Sequence, residues 1–323
     1  MTLISFIICS YNAPDLIEKC LNSILKQKYE CKKEILIIDG GSDTKTLELL
    51  SEYKRKFKEI KLIHNKNQLP EGKGMGKWLG WKKAKGDFIF IIDQDNEIEK
   101  DNFIEEMLYP FKEENIFGCA CRLRVDHKDS LTNQYVALVG TDPFFAYRSL
   151  DGRINLRKLG KDKGNYTLVE LNKNNPIITG GNCFVYKKDI LDKFGGYVQD
   201  TENILKLSEN NYNKIAIPKN QYTHHMATKG FFDFIRKKKK WAKTYKGIKG
   251  KFSYLPKNLS SLLEFIINLL LIVLIIPNLI ISIIKFIETR EKAWLLHPTL
   301  TFITGFIYFY FISISWFNNQ FYK

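Results

Sequence analysis

None of the six cysteines (Cys9, Cys20, Cys31, Cys119, Cys121, Cys183) lies in a Cys-x-x-Cys pair or at zinc spacing. Reduced, largely buried thiols are therefore the expectation. A charged leader is also missing. Residues 1–9 are apolar but short and run into Ser10-Tyr11-Asn12-Ala13-Pro14, which does not read as a secretory signal, so the N-terminal portion is expected in the cytoplasm. No internal repeat is present. Acidic residues are scarce in one place: between Lys229 and Lys257 there are eleven Lys/Arg and a single acid, Asp233. That segment holds +10 of the chain's +15, so the protein has one very basic stretch and is not basic throughout. Such a stretch calls for a polyanionic partner, and no nucleic-acid recognition motif accompanies it.

What is present is a chain of 323 residues, 45% hydrophobic and 26% charged, enough for about two domains and too apolar for a disordered one. Charge disappears from residues 265–284, and residues 294–317 contain only His297 as a group that titrates near neutral pH. Twenty helical residues span about 30 Å, the thickness of a bilayer's hydrocarbon core. The sequence therefore predicts a C-terminal transmembrane helical hairpin, with spans at 259–288 and 293–317. Residues 226–258 would be a basic amphipathic juxtamembrane segment, with Phe231, Phe234, Ile235, Trp241, Ala242, Tyr245 and Ile248 near one face. It would lie against an anionic membrane under the positive-inside rule. The expected localisation is the cell membrane, multi-pass, with the catalytic part facing the cytoplasm.

Before this segment, apolar runs of strand length alternate with helical spacing. Residues 3–9, 35–38, 60–64 and 88–92 read as strands, and 15–27, 44–57 and 73–84 as helices. Strands buried on both faces imply a parallel sheet with right-handed crossovers, a nucleotide-binding type of α/β half. From residue 126 to 176 the pattern blurs into loops and short strands, a stretch suited to covering or receiving a substrate. Order returns with a strand at 177–186 and helices at 187–194 and 200–210.

Ligands of open parallel sheets bind beyond the carboxyl ends of the strands. Three acidic groups fall there: Asp39, the pair Asp93 and Asp95, and Asp200 with Glu202. Two carboxylates two residues apart after an apolar strand suit a hard divalent cation, which can also hold a diphosphate. Structural roles stand beside these. Asp39-Gly40 is common turn chemistry, Asp93 and Asp95 fit a solvated turn, and Asp200 fits a helix N-cap. Gly180-Gly181 equally fits a bulge. Of His224 and His225, which point to opposite faces of a strand, at most one could reach a metal, and a surface position is expected for them. Glu97 is a further candidate contact.

Residues 3–245 resemble the inverting family 2 glycosyltransferases of GT-A fold. The likeness runs through Phe6-Ile7-Ile8-Cys9-Ser10-Tyr11-Asn12, the stretch from Glu34 to Asp39-Gly40-Gly41-Ser42-Asp43, and Ala84-Lys85-Gly86-Asp87-Phe88-Ile89 leading to Asp93-Gln94-Asp95. It continues in Thr179-Gly180-Gly181-Asn182, Gly195-Gly196-Tyr197 and Asp200-Thr201-Glu202. The resemblance implies a Rossmann-like, mostly parallel sheet with flanking helices over residues 1–225. It implies donor contacts from Ser10, Tyr11, Asn12, Asp39, Lys77 and Asp93, with Asp39 on the nucleotide base. It further implies Mg²⁺ or Mn²⁺ at Asp93 and Asp95, an acceptor site at Gly180, Gly181 and Asn182, and Asp200 as general base.

The departures are informative. The family's glutamate before that aspartate is Gln199, and its Ala-Arg-Asn stretch is Gly76-Lys77-Trp78. The Gln-x-x-Arg-Trp of processive synthases becomes Lys237-Lys238-Lys239-Lys240-Trp241, which points to single transfers. The expected function is an inverting, metal-dependent transfer of one sugar from a nucleotide sugar to a lipid-linked or cell-surface glycan. A polyisoprenyl phosphate is the alternative acceptor. A nucleotidyltransferase would need a Gly-rich, basic loop where Ser10–Pro14 stands, and a non-catalytic membrane scaffold would bind neither nucleotide nor Mn²⁺.

Overall fold

The computed structural model describes residues 2–65, 75–140, 143, 152–154, 160–171, 183–246, 270 and 274–320. They form two compact units, residues 1–124 with 158–225, and residues 125–157 with 226–323.

The first unit begins with alternating elements: β1 (Leu3–Ser10), α1 (Pro14–Leu25), β2 (Lys32–Asp39), α2 (Thr44–Lys56), β3 (Ile60–His64), α3 (Gly76–Lys83) and β4 (Phe88–Asp93). The strands Ile4–Ile8, Ile35–Ile38 and Ile89–Ile92 are all but fully buried, as runs without polar alternation require when helices cover both faces. They pair in parallel in the order β3-β2-β1-β4. α3 approaches this sheet closely because of Gly80. A Cβ there would lie 2.3 Å from Cγ2 of Ile7.

Beyond β4 come β5 (Asn96–Ile98), α4 (Phe103–Leu108), α5 (Pro110–Glu113), β6 (Gly118–Ala120), β7 (Arg122–Leu123), α6 (Leu131–Val139), β8 (Lys161–Asp162), β9 (Tyr166–Glu170), β10 (Phe184–Lys187), α7 (Lys188–Lys193), α8 (Asp200–Glu209), β11 (Lys214–Pro218) and β12 (Tyr222–His225). The sheet continues as β4-β10-β6-β11-β9-β8, with β10 antiparallel to both neighbours and β9 antiparallel to β11 and β8. A small second sheet pairs β12 with β5 and β7. The mostly parallel sheet expected from the sequence is therefore parallel in its first half and mixed overall. The short strands after β4 carry too few residues to show a period, so their direction was not legible.

The second unit contains α6, α9 (Phe231–Lys246), α10 (Ile275–Thr289), a short 3₁₀ turn at Lys292–Leu296 and α11 (His297–Gln320). α6 lies within the stretch expected to be loops. Its residues Tyr135, Val136, Leu138 and Val139 pack with Phe234, Ala293, Trp294 and Leu300. Tyr135 Oη lies 2.7 Å from Nδ1 of the fully buried His297, whose imidazole burial holds down at about 4.

Among the described residues no helix is long and apolar enough to cross a membrane. The expected transmembrane hairpin, and with it the multi-pass placement in the cell membrane, is therefore overturned. α10 has 15 residues, a rise of only about 22 Å. α11 buries His297, Thr301 and Thr304 among its apolar residues. Residues 259–269 and 271–273 of the first expected span, and residues 247–258 of the expected juxtamembrane segment, lie outside the described residues.

Candidate active site

Strand register brings the candidate groups to one edge of the sheet. Ser10 pairs with Asp39, and Cys9 pairs with Asp93, so Ser10, Asp39 and Asp93 stand at the carboxyl ends of three adjacent strands. The loop after β1 passes through left-handed backbone at Asn12 and Ala13 (φ 52° and 59°). It is fastened on both sides. Asn12 Oδ1 accepts the Asp43 N–H at 2.9 Å, and Tyr11 exchanges two hydrogen bonds with the side chain of Gln94, each 3.1 Å. Tyr11 itself is left 60% exposed, an aromatic face held at the mouth of the site.

Asp39 is buried, and its carboxylate accepts the N–H groups of Gly41 (3.0 Å) and Ser42 (3.2 Å). The turn role is thus realised, with His64 Nδ1 3.5 Å from Oδ2 on its other side. Asp93 is different. Its Oδ1 receives the Lys77 ammonium at 3.0 Å, and the same ammonium lies 3.3 Å from Oδ1 of Asp200. Lys77, in the first turn of α3, therefore joins two carboxylates that are 107 residues apart. Burial opposes its charge, but Asp200 and Asp93 outweigh burial and hold its pKa above the usual lysine range. Burial raises the Asp93 carboxyl; Lys77 opposes this, while Asp200 and Asp95 add to it. The nearby Cys9 thiol is pushed by burial up to about 12, which leaves it protonated and without nucleophilic character.

Asp200 is the first residue of α8 and does not cap it. The cap is Gln199, whose side-chain oxygen accepts the Glu202 N–H at 2.8 Å. The residue that looked like a defect in the motif thus performs the capping, and Asp200 is left to face Lys77. The turn before it requires glycine at Gly196, where φ is +87° and a Cβ would meet the Trp81 ring at 2.2 Å. Trp81 is in turn anchored by its Nε1–H to Asp192 Oδ1 at 2.8 Å.

On the other side, pairing of β12 with β5 sets His225 opposite Asn96 and His224 opposite Glu97. His225 Nε2 lies 3.4 Å from Asp95 Oδ1, and His224 Nδ1 is 4.0 Å from Glu97. Their side chains are 8% and 14% exposed, so the expectation of surface histidines is corrected. The strand pairing that buries them has no local sequence signal. Among the described residues no three His, Cys, Asp or Glu side chains converge tightly enough to hold a metal alone. Asp93 and Asp95, with His225 beside them, still fit a divalent cation that completes its shell with phosphate oxygens and water. Gly180, Gly181 and Asn182 lie outside the described residues.

The α/β sheet thus presents an acidic strand edge, a lysine bridging two carboxylates and an exposed aromatic beside them. Residues 5–195 match the family described as Glycosyl transferase family 2, and the chain belongs to that family. It is similar to the glycosyltransferase GlyG of Streptococcus pneumoniae serotype 4 (strain ATCC BAA-334 / TIGR4), 31% identical over 113 residues, 35% of this chain and 36% of that protein. It is 32% identical over 143 residues to the poly-beta-1,6-N-acetyl-D-glucosamine synthase of Staphylococcus aureus (strain MSSA476), 42% of this chain and 34% of that one. The chain thus matches about a third of the length of these curated relatives. A mannosyltransferase from Pyrobaculum calidifontis, solved with GDP-Man and Mn²⁺, shares the fold with a TM-score of 0.57 at 14% identity, covering 95% of this chain and 87% of that one.

Proposed function

We propose that this chain transfers one hexosyl group from a nucleotide-sugar donor to an acceptor hydroxyl, with inversion at the anomeric carbon. The observation that carries this reading is the placement of Lys77 between Asp93 and Asp200. It puts a carboxylate suited to the donor side and one suited to the acceptor side within reach of a single ammonium. In the reaction Asp200 takes the acceptor's proton as that oxygen bonds to the anomeric carbon. The bond from that carbon to the phosphate oxygen breaks, and its electron pair leaves with the nucleoside diphosphate. The base stacks on Tyr11, and Lys77 turns from Asp93 to the diphosphate, whose charge it offsets. Asp93 and Asp95 would hold Mg²⁺ or Mn²⁺, which supplies further charge neutralisation for the leaving group.

The acceptor is a lipid-linked or cell-surface glycan. A phosphate acceptor is already ionised and has no proton for Asp200 to remove, so a carboxylate at this place favours a hydroxyl. Trp241 stands alone from the processive motif, in keeping with one transfer per encounter.

The test is a thermal-shift screen of nucleotide sugars with and without Mn²⁺, followed by turnover. A cognate donor at a hundredfold excess over its Kd stabilises by about 2.7 kcal/mol. Asp95→Ala is expected to abolish the Mn²⁺-dependent part of that shift while leaving the fold intact, because Asp95 lies on a partly exposed loop. Equal Mn²⁺ dependence in the variant would remove Asp95 from the metal site. A second prediction concerns Lys77→Met, which should weaken nucleoside diphosphate binding about tenfold or more, since a charge-assisted contact is worth roughly 1.5–3 kcal/mol. Isothermal titration with the diphosphate alone reads it, and unchanged affinity would leave Lys77 a structural ion pair.

A further inference from the structure

Two helices of the second unit, α10 and α11, bury polar residues and turn apolar ones outward. α10 buries Asn278 and Ser282, and turns Ile276, Leu279, Ile280, Ile283, Ile284 and Ile287 outward, with Ile276 72% exposed. Their spacing of three and four residues makes one stripe along the whole helix. α11 repeats the inversion, burying Thr301 and Thr304 while Phe302, Phe306 and Phe309 are exposed. These four polar side chains find acceptors inside the unit. Ser282 Oγ donates to the Trp294 carbonyl (2.8 Å), Asn278 to the Leu274 carbonyl (3.1 Å), and Thr301 and Thr304 to carbonyls one turn back. This is the arrangement an apolar solvent demands and water disfavours.

α9 supplies the charge. Its apolar side is covered within the unit, Phe234 packing in the α6 cluster and Ala242 against Ile307 and Tyr308 of α11. The outward side is a groove lined by Arg236, Lys239, Lys240 and Lys243 together with Phe232 and Ile235. Phe232 is 84% exposed at its rim. α11 packs against both α9 and α10, so cations and apolar stripe belong to one body.

We propose that this unit docks on an anionic lipid surface, with the α9 cations among phosphate headgroups and the α10 stripe in the acyl boundary, in the plane and without crossing. At about 22 Å, α10 suffices for lying in an interface and falls short of a core of about 30 Å, and no helix among the described residues is long and apolar enough to cross. A second copy of the chain is a poorer occupant, because it would bring two such cationic grooves together. A nucleic acid would satisfy the cations and leave the stripe in water.

Co-sedimentation of the full chain with vesicles tests this, independently of any transfer activity. Vesicles of phosphatidylcholine with phosphatidylglycerol should retain the protein, and added salt should release it. The combined Arg236→Gln, Lys239→Gln and Lys243→Gln variant should partition about a hundredfold more weakly onto anionic vesicles. Ile280→Asn with Ile284→Asn should lose about tenfold on the same vesicles, since both side chains would leave the acyl boundary. All five positions are on the surface, and unchanged circular dichroism verifies folding. Asp200→Asn should bind vesicles as the unaltered protein does, so a failure of the transfer reading is distinguishable from a failure here. The proposal is overturned if the unaltered chain stays in the supernatant, or if the charge variant binds as tightly. Self-association that disappears with Ile280→Asn and Ile284→Asn, without vesicle binding, would assign the stripe to a second copy instead.

Discussion

Asp200→Asn is expected to lower the transfer rate by about 10² to 10⁴, the usual contribution of a positioned general base, with donor affinity little changed. The substitution keeps size and shape, and the helix does not depend on it, because the N-cap contact comes from Gln199. Amide nitrogen in place of carboxylate oxygen removes the group that accepts the acceptor's proton. It also weakens one of the two contacts of Lys77, whose ammonium keeps Asp93 at 3.0 Å until the donor binds. Single-turnover rates with a saturating donor isolate the chemical step. A fall in kcat with an unchanged donor Kd is the expected pattern. If the rate stays within twofold, Asp200 is not the base, and the acceptor would then be one that needs no deprotonation.

The first half of the sheet was legible because burial on both faces leaves strands such as Ile35–Ile38 without polar interruption, and turn chemistry marks their ends. Asp39 and Asp93 followed from that, since a strand's carboxyl end fixes where its next side chain stands. What was hidden depends on contacts distant in sequence. Lys77 meeting Asp200 depends on α3 and α8 converging on one strand edge, and His225 reaching Asp95 depends on an antiparallel pairing of three residues. α6 was missed because its buried residues include Thr132, Asn133 and Gln134, so no amphipathic stripe separates core from surface. The C-terminal hairpin was misread for the converse reason. Length and absence of charge cannot distinguish a spanning helix from one that buries its few polar groups and turns its apolar face out.

Glu34→Ala is expected to destabilise the first unit by about 3–5 kcal/mol, the cost of breaking a buried charge network by removing one partner. Glu34 lies at the start of β2 and gathers three elements. Its carboxylate accepts from Ser5 Oγ of β1, from Lys61 Nζ of β3 and from the Lys85 N–H ahead of β4, each at 2.6 Å. Ser5 is fully buried and itself accepts the Gly86 N–H at 2.8 Å, so truncation strips the acceptor from a hydroxyl that water cannot reach easily. Burial alone would raise the Glu34 carboxyl, but the hydrogen bonds from Lys61, Ser5 and Lys85 outweigh it and hold the group below its ordinary value of 4.5. A carboxyl depressed in the folded state contributes stability that is fully present above its unfolded value. That contribution is lost as the pH falls through 4.5 and below. Urea denaturation at neutral pH should therefore show the full difference between Glu34→Ala and the unaltered protein, and that difference should narrow in acid. Glu34→Gln retains one acceptor oxygen and should fall between them, with no acid-dependent loss from this site. Parallel pH profiles for all three proteins would mean that the carboxylate's charge contributes nothing, and that packing alone holds β1, β2 and β3 in register.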